Sequence, residues 1–223
     1  MINPEKLSLT QKIHLKVISY QMYKYGHNHQ NSGNGYWYKK RLNKLIDRQK
    51  MLINPKYIGW GWKEPNSHLI VNSFTKYFKD FKYIHTIRHG LDMAFSKNQQ
   101  QLYNWGTIFN VDLPENASQE PRASLDYWIK ANENIFNLQK VLGSDKILII
   151  NFDNICSNPQ EEVRKILSFL NYSCDEKTFN ELINLPKTPS STGRYKTKNL
   201  SDFTTKDIAI LKKFGFEFSS KNK

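Results

Sequence analysis

Arg88 is one of only six arginines in this chain of 223 residues, and it stands where a short apolar run, Tyr83-Ile84-His85-Thr86-Ile87, gives way to Arg88-His89-Gly90. A guanidinium carries a planar fork of donors that matches phosphate or sulfate oxygens. At the carboxyl end of a buried strand and beside the start of a helix, it meets free backbone amides and a helix dipole that already favour negative charge. Ser96, eight residues later, adds a hydroxyl. Together the two residues describe a site for a doubly charged anion. The plainer alternative is an ion pair between Arg88 and Asp92, with Ser96 merely packing.

The elements that must position Arg88 follow from the hydrophobic pattern. Tyr83 to Ile87 reads as a buried strand, followed by one helix from Leu91 to about Trp105. On that reading Ser96 sits about two helical turns in. Leu125, Trp128, Ile129, Ile135, Phe136 and Leu138 mark a long helix that Gly143 stops, and Ile147-Leu148-Ile149-Ile150 is the strongest strand signal in the chain. Asn158-Pro159-Gln160-Glu161 reads as a capping box that opens a helix with Val163, Ile166, Leu167 and Leu170 inward. Two further helices, near Glu176 to Ile183 and Thr205 to Phe214, flank a loop from Pro186 to Ser201 that is dense in Lys, Ser and Thr.

Upstream, Leu69, Ile70, Phe74, Tyr77 and Phe78 give an apolar face to a helix starting at Asn66 or Ser67, after the breakers Gly59, Gly61 and Pro65. Met1 to Tyr25 favours a helix over a strand, Gly26 to Gly35 reads as a loop, and Trp37 to Met51 as a basic helix. The alternation of strand and helix argues for an α/β domain with a mainly parallel sheet flanked by helices.

Composition narrows the classes. At 26.3 kDa, with 39% hydrophobic and 24% charged residues, the chain suits one globular domain and neither a coiled coil nor a disordered polymer. No apolar stretch approaches the roughly 20 residues of a spanning helix, and the N-terminal segment has no signal-peptide core. The expectation is a cytoplasmic protein without a membrane span. A net charge of +13 attracts polyanions, phosphates and sulfates. Cys156 and Cys174 have no zinc-site spacing partners and build no disulfide framework, so they read as core or surface thiols.

Lys63-Glu64-Pro65, then an amphipathic helix, then Tyr83-Ile84-His85-Thr86-Ile87-Arg88-His89-Gly90-Leu91-Asp92-Met93-Ala94-Phe95-Ser96, resembles the PAPS-dependent sulfotransferase family. Trp128 to Asn132, Phe152-Asp153-Asn154-Ile155, Asn158-Pro159, Ser168-Phe169-Leu170-Asn171 and the late basic stretch Ser190 to Lys196 continue it in the family's order, over roughly residues 60 to 215. The ordered set carries the resemblance, since each piece alone is common by chance. The chain departs from the family at its start. The strand, Gly-Ser/Thr-rich loop and helix that cradle the donor's 5'-phosphosulfate are not found, and Gly26, Gly33 and Gly35 are a poor match.

What the resemblance implies is a P-loop-NTPase-like sulfotransferase fold, a mainly parallel sheet flanked by helices, with the N-terminal βα unit not found. It also implies transfer of a sulfuryl group from PAPS to a hydroxyl or amine of a glycan, lipid or other small molecule, without metal. Lys63 would stabilise the bridging oxygen, Arg88 and Ser96 would hold the 3'-phosphate, and Arg194 and Lys196 would close over the phosphates with Tyr195 packed near them. No catalytic base is assigned. His14, His27, His29, His68, His85 and His89 match no family position for one, and Glu64 and Glu115 are unsupported candidates.

Two alternatives stand beside this. One is an inactive sulfotransferase-like fragment that binds a phosphorylated or sulfated anion without catalysis. The other is a basic protein binding nucleic acid or acidic polysaccharide. Nucleic acid is not expected, because the aromatics follow core periodicity and no recognition module is present. A P-loop kinase is disfavoured by the missing Gly-Lys-Ser/Thr signature.

Overall fold

Strand β1, Tyr83–Ile87, and strand β2, Ile147–Asn151, pair in parallel with Tyr83 opposite Ile147 and Ile87 opposite Asn151. These elements come from a computed structural model, which describes residues 8–10, 13, 16, 17, 20, 61–78 and 80–218. The chain divides into two compact units, residues 1–81 and 82–223.

In the first unit, residues 9, 10, 13, 16, 17 and 20 are helical, in agreement with the helix expected at the N-terminus. The loop at Gly26 to Gly35 and the helix at Trp37 to Met51 lie outside the described residues. Where one helix was expected from Asn66, a 3-10 turn at Ser67–Leu69 precedes α1, Val71–Tyr77. The inward face is correspondingly re-phased: Val71 is buried while Ile70 is exposed. Trp62, Phe74 and Phe81 form an edge-to-face aromatic cluster, with Trp62 and Phe74 centroids 5.3 Å apart. His68 is buried and bonds the Pro65 carbonyl through Nδ1 at 3.0 Å.

The second unit is built on the β1–β2 pair. Parallel strands require a long crossover, and here it contains α2, Gly90–Ala94, α3, Gln100–Trp105, and α4, Glu120–Leu142. Gly143, at φ 99°, takes a conformation that disfavours a side chain and so ends α4 as expected. Leu125, Trp128, Ile129 and Ile135 of α4 are buried, and Ile147 and Ile150 of β2 are almost wholly enclosed. Removing each such side chain from water is worth about 1.5–3 kcal/mol.

After β2 the chain forms α5, Phe152–Ser157, α6, Pro159–Phe169, α7, Glu176–Ile183, and α8, Thr205–Lys213. The main core joins Ile87, Leu91 and Ala94 to Leu125, Trp128 and Ile129 from α4 and to Tyr195, Leu211, Phe214 and Phe216 from the C-terminal segment. A polar chain crosses between β1 and α4. Tyr83 donates its hydroxyl to His85 Nδ1 at 3.1 Å, His85 Nε2 donates to Asn132 Oδ1 at 2.9 Å, and Asn132 Nδ2 donates to the Trp128 carbonyl at 2.6 Å. Among the described residues, no helix is long and apolar enough to cross a membrane.

One further local expectation differs from the structure. Asn158 precedes α6, but its side chain donates to Glu161 Oε2 at 2.6 Å instead of accepting from the helix backbone, so no capping box forms there. A capping box does form at Thr204 and Asp207, ahead of α8.

Candidate anion site

Ile87 ends β1 buried in the core, which sets Arg88 at the carboxyl rim of the parallel pair. There Arg88 Nη2 donates to Ser191 Oγ at 3.2 Å, and the guanidinium lies 5.5 Å from the centre of the Phe152 ring. The Nε–H is buried and, among the described residues, has no hydrogen-bond partner. Asp92 does not pair with Arg88. Its carboxylate, 2% exposed, accepts from two backbone amides instead, Gly193 N–H at 2.7 Å on Oδ2 and Tyr195 N–H at 3.2 Å on Oδ1. Arg88 is thus a half-buried cation without a carboxylate counter-ion among the described residues, and a buried donor left unmet costs about 1–3 kcal/mol.

The expected continuous helix through Ser96 is broken. Gln99 turns its side-chain amide back to the carbonyls of Ala94 and Ser96, at 3.0 and 2.7 Å, and so ends α2 after one turn. Ser96 lies just beyond that end, half-buried, with its Oγ accepting from Asn98 N–H at 3.3 Å. Arg88 and Ser96 make no hydrogen bond to each other. They are linked through the late basic loop: Arg194 Nη1 donates to the Phe95 carbonyl at 3.4 Å and Arg194 Nε to the Ser191 carbonyl at 3.2 Å. The loop is compact here, with a 3-10 turn over Arg194–Thr197 entered through Gly193 at φ 77°.

Tyr195 is buried and stacks on His89, while Lys196 is exposed. Of the residues singled out in the sequence, the structure therefore gathers Arg88, Arg194 and Tyr195 around α2. Lys63 belongs to the other unit, where it is exposed in the irregular stretch before Pro65. Glu64, one of the acids considered as a base, accepts from Asn66 N–H at 3.3 Å. Glu115 is exposed.

Three participants escaped the sequence reading. Ser191 touches Arg88, Asp92 binds the loop backbone, and His89 caps α2 by accepting from Leu91 N–H at 3.2 Å. None carried a local signal, since histidine is not among the residues that favour an N-cap. Burial lowers the His89 pKa below its ordinary value, and the Glu217 carbonyl, Asp92 and Asp153 counteract that only in part. Three open hollows of about 650–830 Å³ lie against α6, ahead of α4 and on α7; none of the three is lined by Arg88 or Ser191.

Residues 7–176 match the family model described as the sulfotransferase family. No curated protein matches the sequence. Among solved structures, the sulfotransferase domain from the Synechococcus PCC 7002 olefin synthase is similar at a TM-score of 0.55 and 16% identity, over 83% of this chain and 72% of that one. The sulfotransferase domain from the curacin biosynthetic pathway gives 0.46 and 18%, over 75% of this chain and 58% of that one. The first likeness shows the sulfotransferase fold.

Proposed function

Because the chain belongs to the sulfotransferase family, we propose that it moves a sulfuryl group from PAPS to a hydroxyl or amine of an acceptor such as a glycan, lipid or other small molecule. The observation that carries the donor assignment is the buried Nε–H of Arg88 at the rim of the parallel strands, which has no partner among the described residues. A phosphate there gives that donor a partner and gives the guanidinium a counter-ion, which the described residues do not supply.

Bound PAPS supplies the sulfuryl group. Arg88 and Ser96 hold the 3'-phosphate, with the Ser191 hydroxyl beside Arg88 as a further donor. Arg194 and Lys196 add positive charge from the loop, and Tyr195 anchors that loop through its ring. By the family resemblance, Lys63 would meet charge developing on the bridging oxygen, an electrostatic and not a covalent contribution.

Calorimetric titration with adenosine 3',5'-bisphosphate tests the site. Arg88→Ala should weaken binding at least about tenfold, the loss expected for a charge-assisted bond, and equal affinity in both proteins would reject the assignment. Transfer of labelled sulfate from PAPS to a panel of glycans, lipids and phenols tests the reaction. Binding without transfer to any acceptor would mark an anion-binding protein that is not an enzyme.

A further inference from the structure

Taking Arg88 as the nucleotide-phosphate site, we propose that Asp92 is the positioning residue that assembles it, by clamping the backbone of the Ser190–Lys196 loop onto α2. Asp92 sits in the first turn of α2, 2% exposed, and among the described residues forms no ion pair. Its two oxygens are met by the N–H groups of Gly193 and Tyr195. These amides converge because Gly193 adopts φ 77°, a left-handed conformation that turns successive N–H groups toward one point. Such a concavity binds anions. In this chain the anion is an internal carboxylate.

The clamp has a geometric consequence. Two residues before Gly193, Ser191 Oγ meets Arg88 Nη2, and directly after it Arg194 reaches the Phe95 carbonyl beside Ser96. The loop therefore brings a hydroxyl and a second guanidinium to the segment carrying Arg88 and Ser96, and Asp92 holds it through backbone atoms alone. Replacing Asp92 deletes no atom that would touch the ligand.

Charge and position make opposite forecasts for that replacement. If the carboxylate were only a nearby negative charge, Asp92→Asn would remove a repulsion and tighten binding of a doubly charged anion. As a clamp, its loss replaces one acceptor by an NH₂ group facing an N–H, frees the loop and weakens binding.

The full chain and Asp92→Asn should be titrated with adenosine 3',5'-bisphosphate and digested with limiting trypsin. The expected result is at least about tenfold weaker binding, from the loss of a hydrogen bond to a charged group, with faster cleavage after Arg194 and Lys196. Equal or tighter binding by Asp92→Asn overturns the proposal. Amide exchange of the unsubstituted chain without ligand gives an independent reading that holds even where the variant fails to fold. Protected Gly193 and Tyr195 amides support the clamp, and exchange at unprotected rates overturns it. Should the unsubstituted chain bind no nucleotide, the phosphate assignment of Arg88 falls, while exchange and proteolysis still decide whether Asp92 holds the loop.

Discussion

His89 and Tyr195 lie face to face, their ring centroids 4.4 Å apart and their planes 18° from parallel. Both nitrogens of His89 are engaged. Nδ1 accepts from Leu91 N–H, so the proton sits on Nε2, which donates to the Glu217 carbonyl at 3.1 Å. The ring thereby ties the start of α2 to the basic loop and to the C-terminal segment, and it does so only as the neutral tautomer.

Acid should loosen this junction. Burial holds the His89 pKa below 6.5, against the opposing pull of the Glu217 carbonyl, Asp92 and Asp153, and Lys196 lowers it further. The folded chain therefore binds fewer protons than the unfolded chain between the lowered value and 6.5. Stability is fully present above about pH 6.5 and falls as pH drops through that window. Urea midpoints at pH 7.5 and 5.5 should differ in that direction. His68 is also lowered by burial and contributes the same sign. His89→Asn, which keeps a capping oxygen for Leu91 without titrating, should remove part of the slope; an unchanged slope would exclude His89 as a source.

Arg122 joins α4 to α8. It forks onto Asp207, with Nη1 to Oδ2 at 2.6 Å and Nη2 to Oδ1 at 3.1 Å, and also pairs with Asp126. Burial alone would raise the Asp207 carboxyl, but the bonds from Arg122 and Thr204 outweigh it and leave the pKa below the ordinary value. Arg122→Ala strands a buried carboxylate with, among the described residues, only Thr204 as donor. It should cost about 2–3 kcal/mol in denaturant unfolding. Arg122→Lys, without the planar fork, should recover less than half of that.

How far the sequence reaches is clearest around α2. The strands Tyr83–Ile87 and Ile147–Asn151 and the stop at Gly143 are written in apolar runs and a breaker, which act locally. The break after Ala94 is not, because it depends on Gln99 reaching back to two carbonyls, and glutamine carries no such signal. Asn158 shows the converse: the capping-box pattern is present, yet its amide bonds Glu161 instead. Arg88 was legible as a cation at a strand end. Ser191 and Asp92 were not, since their partners lie across the fold and share no periodicity with them.

Gly90 is fixed by close packing. A Cβ on it would stand 2.8 Å from both Leu211 Cδ2 and Trp128 Cε3, side chains of the main core. Gly90→Ala gains at most about 1 kcal/mol of helix propensity, while forced repacking in a filled core costs about 1–3 kcal/mol. Overpacking should win, with a lower thermal midpoint and, through displacement of α2, weaker nucleotide binding. A more stable Ala variant would show that Trp128 and Leu211 can give way.

Arg88 should contribute to binding at the expense of stability. Its Nε–H is buried and has no partner among the described residues, which gives the unliganded chain a desolvation cost of about 1–3 kcal/mol. Arg88→Met keeps an unbranched stem beside Phe152 and removes that donor. The unliganded variant should therefore unfold at the same temperature as the original chain or higher. Ligand that binds only the folded state stabilises it by about 2.7 kcal/mol at a hundredfold excess over Kd, and this rise should vanish in Arg88→Met. Ser191→Ala, which removes one neutral acceptor from Arg88, should keep a reduced rise. Thermal scans with and without adenosine 3',5'-bisphosphate separate the outcomes. A variant that loses unliganded stability while keeping the ligand-induced shift would reverse the assignment, making Arg88 a structural residue and placing the phosphate elsewhere.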